Sequence, residues 1–295
     1  MNFKQDFKTQ TIYHGDVGIH VRHAGSGPPL LLLHGYPQTG YMWHKIAPRL
    51  AETFSVVIPD LRGYGDSDKP PTDITHGPYS KRAMAADMVA VMRALGHTRF
   101  AVAGHDRGGR VAHRLARDHP TAVSHLAVLD IAPTAAMYEA TDKKFATAYY
   151  HWFFLIQPAP YPETMIGRDP QFFLEHKTGQ WGRTSGAITA PAFAEYLRCF
   201  SNPATIHASC EDYRAAASID LAHDAADAHT KLAMPVMALW GEIGFVGHAY
   251  DVITEWQKVA HDVRGHSIPG GHFLAEESPD ETCDALITFF HGPNG

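Results

Sequence analysis

The chain settles early into a rhythm of short, wholly apolar runs. Pro29-Leu30-Leu31-Leu32-Leu33 stops at His34-Gly35. Phe54-Ser55-Val56-Val57-Ile58 leads to Asp60, and Arg99-Phe100-Ala101-Val102-Ala103 leads to Gly104. Leu126-Ala127-Val128-Leu129 leads to Asp130, and Val236-Met237-Ala238-Leu239-Trp240 to Gly241. A weaker sixth run surrounds Ser267-Ile268. Short runs that are continuously apolar, rather than alternating, predict strands covered on both faces, which is the pattern of parallel sheets. Ahead of them the N-terminal residues read as a β-meander ending at Gly25-Ser26-Gly27. From Lys81 to Leu95 the apolar spacing changes to three and four, with Gly96 as a helix stop. A second helix is expected from Gly109 to His119, ended by Pro120. Strand then helix, repeated, predicts an α/β architecture: a mostly parallel central sheet flanked by helices.

The rhythm breaks between Pro133 and Asp227. This stretch is rich in aromatic residues, Pro and Ala, and carries no strand signal. It reads as a helical insertion between two strands, placed to cover a site as a lid. Residues 1–132 and 228–295 then make the core domain, and 133–227 the lid.

Composition narrows the function classes. A chain of 295 residues with 45% apolar content can bury a large core without disulfides or metal. The net charge is −6 and no run of Lys or Arg stands out, which disfavours nucleic-acid binding. An anionic substrate would therefore have to be held by local cations. The three cysteines, Cys199, Cys210 and Cys283, form no CxxC pair and point to a reducing compartment. The opening MNFKQDFKTQTIYHG has no apolar signal core, and no stretch approaches the roughly 20 apolar residues of a membrane span. The expectation is a soluble cytoplasmic protein with no membrane partner. There are 21 histidines but no HExxH. His20 and His23, or His261 and His266, read as scattered surface residues, so neither a metal nor a cofactor is expected.

The segment Ala103-Gly104-His105-Asp106-Arg107-Gly108-Gly109 carries the chemistry. It has the form G-x-nucleophile-x-G, after a strand and before a helix. Small residues there permit a sharp turn that presents the central side chain at the helix N-terminus. That side chain is usually serine; here it is Asp106. The bland alternative is an aspartate acting only as a helix cap. A carboxylate in this position suits displacement at a saturated carbon, giving an ester that is hydrolysed in a second step. Arg107 and Arg110 are close enough in sequence to flank Asp106 and to hold a substrate carboxylate; otherwise they pair with acids such as Asp60 or Asp66.

Further segments fall where such a fold needs them. His34-Gly35-Tyr36-Pro37 follows the first apolar run, Asp60-Leu61-Arg62-Gly63-Tyr64-Gly65-Asp66-Ser67 the second, and Gly270-Gly271-His272-Phe273 the last. With the Asp106 turn, these resemble the α/β-hydrolase superfamily, in the branch of haloalkane dehalogenases, epoxide hydrolases and haloacetate dehalogenases. The combination of HDRGGR at 105–110, His151-Trp152 and Asp212-Tyr213-Arg214-Ala215 resembles the haloacetate (fluoroacetate) dehalogenases.

That resemblance implies hydrolysis of short 2-haloacids, fluoroacetate and water giving glycolate and fluoride, by a homodimer. It implies a triad of Asp106, His272 and an acid. Many members place the acid after the strand ending at Trp240, but Gly244 stands there. Asp130 takes the role instead, with Glu242 as the alternative. It implies substrate-carboxylate binding by Arg107 and Arg110, halide binding by His151, Trp152 and Tyr213, and an oxyanion site from the backbone N–H groups of Tyr36 and Arg107. Trp181 is a further pocket candidate. Relatives often carry Phe at Tyr36, a departure that bears on the preference among halogens. Two competing readings remain. An epoxide hydrolase would keep Asp106, His272 and Asp130 and use Tyr213 with Tyr149 or Tyr150, but it has no need of the paired arginines. A non-catalytic binder would have lost one of the catalytic groups.

Overall fold

The computed structural model describes residues 1–292, so the last three positions of the expected core segment 228–295 lie outside the described residues. Eight strands form one sheet in the order β1-β2-β4-β3-β5-β6-β7-β8. They are β1 (Lys8–His14), β2 (Val17–Ala24), β3 (Pro29–Leu33), β4 (Ser55–Pro59), β5 (Phe100–His105), β6 (Val123–Leu129), β7 (Val236–Gly241) and β8 (Val263–Ile268). The β1–β2 and β2–β4 pairs are antiparallel. Every later pair is parallel.

Each expected apolar run lies in a strand, with bounds that differ by up to three residues. Leu30 through Leu33 have no solvent exposure at all, as expected of a central strand with both faces covered. The sixth run was weak for a physical reason. β8 is an edge strand with exposed Arg264, His266 and Ser267, so its pattern is broken by polar residues.

The helix Lys81–Ala94 is capped by the Ser80 hydroxyl, which accepts from the Ala83 N–H at 3.2 Å. Gly96 follows in the left-handed conformation at φ +85°, where only glycine is free of strain. The second expected helix begins earlier than its glycines suggested, at Arg107, and runs to Asp118. Gly108 and Gly109 are packing residues here rather than turn residues. A Cβ on Gly108 would lie 2.4 Å from the His34 carbonyl oxygen, and one on Gly109 2.8 Å from the Gly104 carbonyl oxygen. Helix and strand can close on each other only because both positions lack a side chain.

Between β6 and β7 the chain forms eight helices among the described residues, from Thr134–Glu139 to Ile219–Ala226, and no strand. Cys199, Cys210 and Cys283 are free and buried. Among the described residues no helix is long and apolar enough to cross a membrane.

Candidate active site

Asp106 stands between the end of β5 and the helix Arg107–Asp118. Its backbone is at φ +45°, ψ −115°, a strained conformation for a residue with a side chain. Strain of this kind fits the nucleophile turn, which thrusts one side chain out of the strand–helix corner. The opposing loop comes close: a Cβ on Gly35 would meet the Asp106 Cβ at 2.6 Å. The next backbone N–H, that of Tyr36, donates to Asp106 Oδ2 at 3.1 Å. Arg107 is the first residue of the helix, where backbone N–H groups have no intrahelical acceptor.

The Asp106 carboxyl is held below the usual carboxylate range. Burial alone would raise it, but the neighbouring charges of His272, Arg110, His105 and Arg107 outweigh that effect. It is therefore an anion at neutral pH.

His272 lies in the turn after β8. Its Nδ1 is 2.6 Å from Asp130 Oδ2, and Asp130 Oδ1 accepts the Gly241 N–H at 3.0 Å. Burial lowers the affinity of His272 for a proton, but the Asp130 hydrogen bond and the Asp130 and Asp106 charges exceed it, so the imidazole is raised above its ordinary value. His105 has no such partner and is held down to about 3, chiefly by burial. Its Nε2 lies 2.8 Å from the His272 carbonyl oxygen, bracing that turn as a neutral ring. Glu242 is exposed and has no hydrogen bond to His272. A Cβ at Gly244 would lie 3.4 Å from Asp130 Oδ1. The two chain positions from which an acid reaches this histidine thus converge in space, and Asp130 fills that space here.

The two arginines differ. Arg107 is fully buried, and its Nε and Nη2 donate to the Asp212 carboxylate at 2.9 and 2.8 Å. Asp212 also receives Lys81 Nζ and the Tyr64 hydroxyl, so it anchors a buried network. Arg107 Nη1 has no acceptor within the chain. Arg110 sits one helical turn beyond Asp106. Its Nη1 donates to Thr134 Oγ1 at 2.8 Å and to the Ala132 carbonyl at 3.2 Å, while Nε has no acceptor. Among the described residues no carboxylate forms a salt bridge with Arg110. Asp60 and Asp66, the local acids considered from the sequence, are occupied elsewhere. Asp60 accepts the N–H groups of Gly40 and Asp66, and Asp66 pairs with Arg198. His20 brings a potential ligand atom near these two carboxylates, within 4.8 Å, but the hydrogen bonds explain the cluster as part of the turn.

His151 and Trp152, adjacent in the chain, come together with Tyr213, 61 positions beyond Trp152. The His151 and Trp152 rings lie 5.6 and 6.5 Å from the Tyr213 ring. Below them, the Arg107 guanidinium stacks 4.1 Å from the Tyr213 centroid and the Arg110 guanidinium 4.7 Å from the Trp152 centroid. His151 Nδ1, Trp152 Nε1 and the Tyr213 hydroxyl are buried with no partner in the chain. Burial and the nearby cations Lys177, Arg107 and Arg110, together with His272, hold His151 well below its ordinary value, so it is neutral. Trp181 packs 4.6 Å from His151 and 5.5 Å from His272, ring to ring. Buried polar groups without partners are destabilising in isolation, so three of them gathered in one place call for an explanation. A cleft of about 200 Å³, lined by Asp130, Tyr149, Trp181, Phe245 and His272, opens at the seam between the inserted helices and the core.

Sequence reasoning missed the Asp212 network. Asp212 was visible only as the neighbour of Tyr213, and Lys81 only as a helix start. Nothing in their local spacing announces a contact across 105 and 131 positions.

The strained turn, the parallel sheet and the Asp106–His272–Asp130 constellation define an α/β hydrolase. Residues 28–279 match the family described as alpha/beta hydrolase fold, and the chain belongs to that family. It is 45% identical over 286 residues to a fluoroacetate dehalogenase from Burkholderia sp, covering 97% of this chain and 94% of the relative. It is 36% identical to a soluble epoxide hydrolase from Corynebacterium sp. (strain C12), covering 92% and 93%. A solved α/β-hydrolase structure from Nostoc sp PCC 7120 superposes with a TM-score of 0.96 at 56% identity, covering 98% and 99%.

Proposed function

We propose that this chain is a hydrolytic dehalogenase of short 2-haloacids, converting fluoroacetate and water to glycolate, fluoride and a proton. The observation that carries this reading is Arg110: a buried cation beside Asp106 with no carboxylate partner among the described residues. A cation so placed favours a substrate that brings its own carboxylate. The similarity to the Burkholderia fluoroacetate dehalogenase supports the same substrate class.

In this reading Arg110 and the free Nη1 of Arg107 take the substrate carboxylate, and the α-carbon faces Asp106. Oδ2 is held by the Tyr36 N–H, which leaves Oδ1 to attack. A carbon–oxygen bond forms as the carbon–halogen bond breaks, and the halide departs with the bonding pair toward the donors of His151, Trp152 and Tyr213. Fluoride holds its charge tightly and needs strong donors in place of water. His272, oriented by Asp130, then takes a proton from water, whose oxygen attacks the carboxyl carbon of Asp106. The N–H groups of Tyr36 and Arg107 stabilise the resulting oxyanion; as it collapses the His272 imidazolium returns its proton to the departing alkoxide, releasing glycolate, and the regenerated Asp106 carboxyl loses its proton to solvent. Residues 133–227 act as the lid that supplies the halide donors and excludes bulk water.

A second reading, an epoxide hydrolase, has two observations in its favour: the similarity to the Corynebacterium soluble epoxide hydrolase, and the unpartnered Tyr213 hydroxyl, a ready proton donor for an epoxide oxygen. Arg110 counts against it, since a neutral epoxide leaves that charge uncompensated. Halide release from fluoroacetate, chloroacetate and bromoacetate, followed with ion electrodes beside turnover of styrene oxide, separates the two. Turnover of styrene oxide alone would overturn the dehalogenase reading.

We also propose a homodimer built through the lid. Tyr161 and Met165, one turn apart on the helix Tyr161–Gly167, and Phe172 at the start of the next helix are all more than half exposed. Large exposed apolar side chains on neighbouring segments of the insertion favour burial against a partner.

A further inference from the structure

The short helix Leu274–Glu277 follows His272 by one residue, and its Glu276 side chain is 1% exposed. Glu276 Oε2 meets the Gln38 side-chain amide at 2.5 Å, and Oε1 accepts the Tyr196 hydroxyl at 3.0 Å. Gln38 lies two residues beyond Tyr36, whose N–H holds Asp106. Tyr196 belongs to the helix Ala190–Phe200, in the segment inserted between β6 and β7. Lys45 Nζ ties the same three segments through main-chain atoms, donating to the carbonyls of Glu276 and Ala187 at 2.7 Å each. One buried carboxyl therefore joins the turn carrying the oxyanion donor, the turn carrying the histidine and the inserted helices.

Burial disfavours the ionised form of that carboxyl and outweighs the hydrogen bonds from Tyr196 and Gln38 and the charge of Lys45, which favour it; Glu277 opposes it as well. Gln38 and Tyr196 are neutral. Lys45 is committed to carbonyl oxygens. Glu277, on the same helix, is an acid that already accepts the N–H groups of Gly271, Phe273, Arg183 and Thr184. Burial pushes the Glu276 carboxyl up to about 8, so it is protonated at neutral pH. Gln38 Oε1 has no donor within the chain. A rotation of the amide by half a turn places that oxygen against Glu276 Oε2, and a separation of 2.5 Å suits O–H···O better than N–H···O.

We propose that Glu276 is a positioning residue that works as an uncharged carboxylic acid, bridging Gln38 and Tyr196 so that the Tyr36 N–H and His272 keep their places about Asp106. This rests on the proposed hydrolysis through Asp106 and His272. It predicts an effect on rate rather than on substrate binding, because Arg110 and Arg107 reach the substrate from a different element. As pH rises through about 8 the acid ionises and gives up the proton it donates to Gln38, leaving a buried charge that Tyr196 and Lys45 offset only in part and that Glu277 opposes. The two turns then lose their common anchor.

The test is steady-state defluorination of fluoroacetate by the full chain between about pH 6 and pH 10, for the natural protein, E276Q and E276A. In the natural protein kcat should fall along an alkaline limb near pH 8, with KM nearly flat. E276Q keeps a neutral bridging group without the titration; it should retain kcat within about threefold at neutral pH and lose the limb. E276A should lower kcat by about tenfold or more at every pH, with little change in KM. An unaltered alkaline limb in E276Q would overturn the proposal, as would equal losses in E276Q and E276A. If E276A fails to fold, the pH profile of E276Q decides alone. If the natural protein turns over no haloacid, the reading of the substrate has failed. The same variants on styrene oxide then test Glu276 separately, because the Tyr36 N–H and His272 serve any ester formed on Asp106.

Discussion

His272 Nδ1 and Asp130 Oδ2 stand 2.6 Å apart, and the other oxygen of Asp130 is fixed by the Gly241 N–H. This pair fixes the ring through Nδ1, leaving Nε2 as the nitrogen available to act as the base in the proposed reaction, and raises the imidazole above its ordinary value despite burial. A base must be neutral to work. Ester hydrolysis should therefore rise with pH along a limb lying above 6.5, the unperturbed histidine value. In D130N the support for the charged ring is lost and the limb moves to lower pH. The plateau should drop on the order of a hundredfold or more, since the nascent imidazolium is no longer stabilised. A kcat–pH profile of both proteins checks this, and an unshifted limb in D130N means that another group sets it.

In the proposed reaction Asp106 and His272 divide the two chemical steps between them. D106A should abolish turnover. H272A should still be alkylated but hydrolyse the ester slowly, so intact-protein mass spectrometry after incubation with fluoroacetate should show one added carboxymethyl group. Peptide mapping should place it on Asp106. An unmodified H272A protein, under conditions where the natural enzyme releases fluoride, would count decisively against a covalent route.

Arg107 depends on Asp212, and Asp212 on Arg107 and Lys81. Burial would raise the Asp212 carboxyl, but those two cations hold it far below the usual range. Its folded-state value is depressed, so its stabilisation is full above the unfolded carboxyl value of about 4 and is lost as pH falls below it. D212N leaves Arg107 and Lys81 buried without their anion and should destabilise the fold by about 3–5 kcal/mol. It should also flatten the acid side of the stability curve. Urea unfolding at several pH values measures both, and a D212N protein as stable as the natural one would show that the network is dispensable.

The exposed apolar side chains on the inserted helices predict an interface. Light scattering at working concentration should give the mass of two chains. F172E together with M165E should give one chain while leaving the far-ultraviolet circular dichroism unchanged. A single-chain mass for the natural protein would remove the dimer from consideration.

The strands were legible because burial on both sides leaves runs such as Leu30–Leu33 with no polar residue to interrupt them. β8 was faint because its outer face is wet. The Asp106 turn was legible because its chemistry is local: strand, small residues, nucleophile and helix follow one another along the chain. The network around Asp212 and the bridge through Glu276 were not, because their partners are distant in sequence and each residue, taken alone, looks like an ordinary charged position on a helix. Gly108 and Gly109 misled in a specific way. They read as turn residues, yet they are helical and small because the His34 and Gly104 carbonyls lie against them.

The last prediction separates the arginines from the halide donors. Arg110 and the free end of Arg107 are placed to hold a carboxylate, a group present in both the ground state and the transition state. Their loss should raise KM and depress fluoroacetate, chloroacetate and bromoacetate by similar factors, because all three share that carboxylate. In the proposed reaction His151, Trp152 and Tyr213 act as charge builds on the departing halogen, so their effect should appear in the barrier. Tyr213→Phe keeps the ring stacked on Arg107 and removes only the hydroxyl that has no partner in the chain. Trp152→Phe keeps an aromatic surface for Arg110 and removes the indole N–H. One donor lost at such a site costs about 2–4 kcal/mol in the barrier. The loss should be largest for fluoroacetate, since the C–F bond is the hardest to break and fluoride relies most on hydrogen bonds. The measurement is kcat/KM for each variant on each haloacid. Equal losses across the three halogens for the Tyr213 and Trp152 variants would show that these residues shape the pocket rather than receive the halide, and the halide site would have to be sought elsewhere among the unpartnered donors, beginning with Trp181 Nε1 and the Tyr36 hydroxyl.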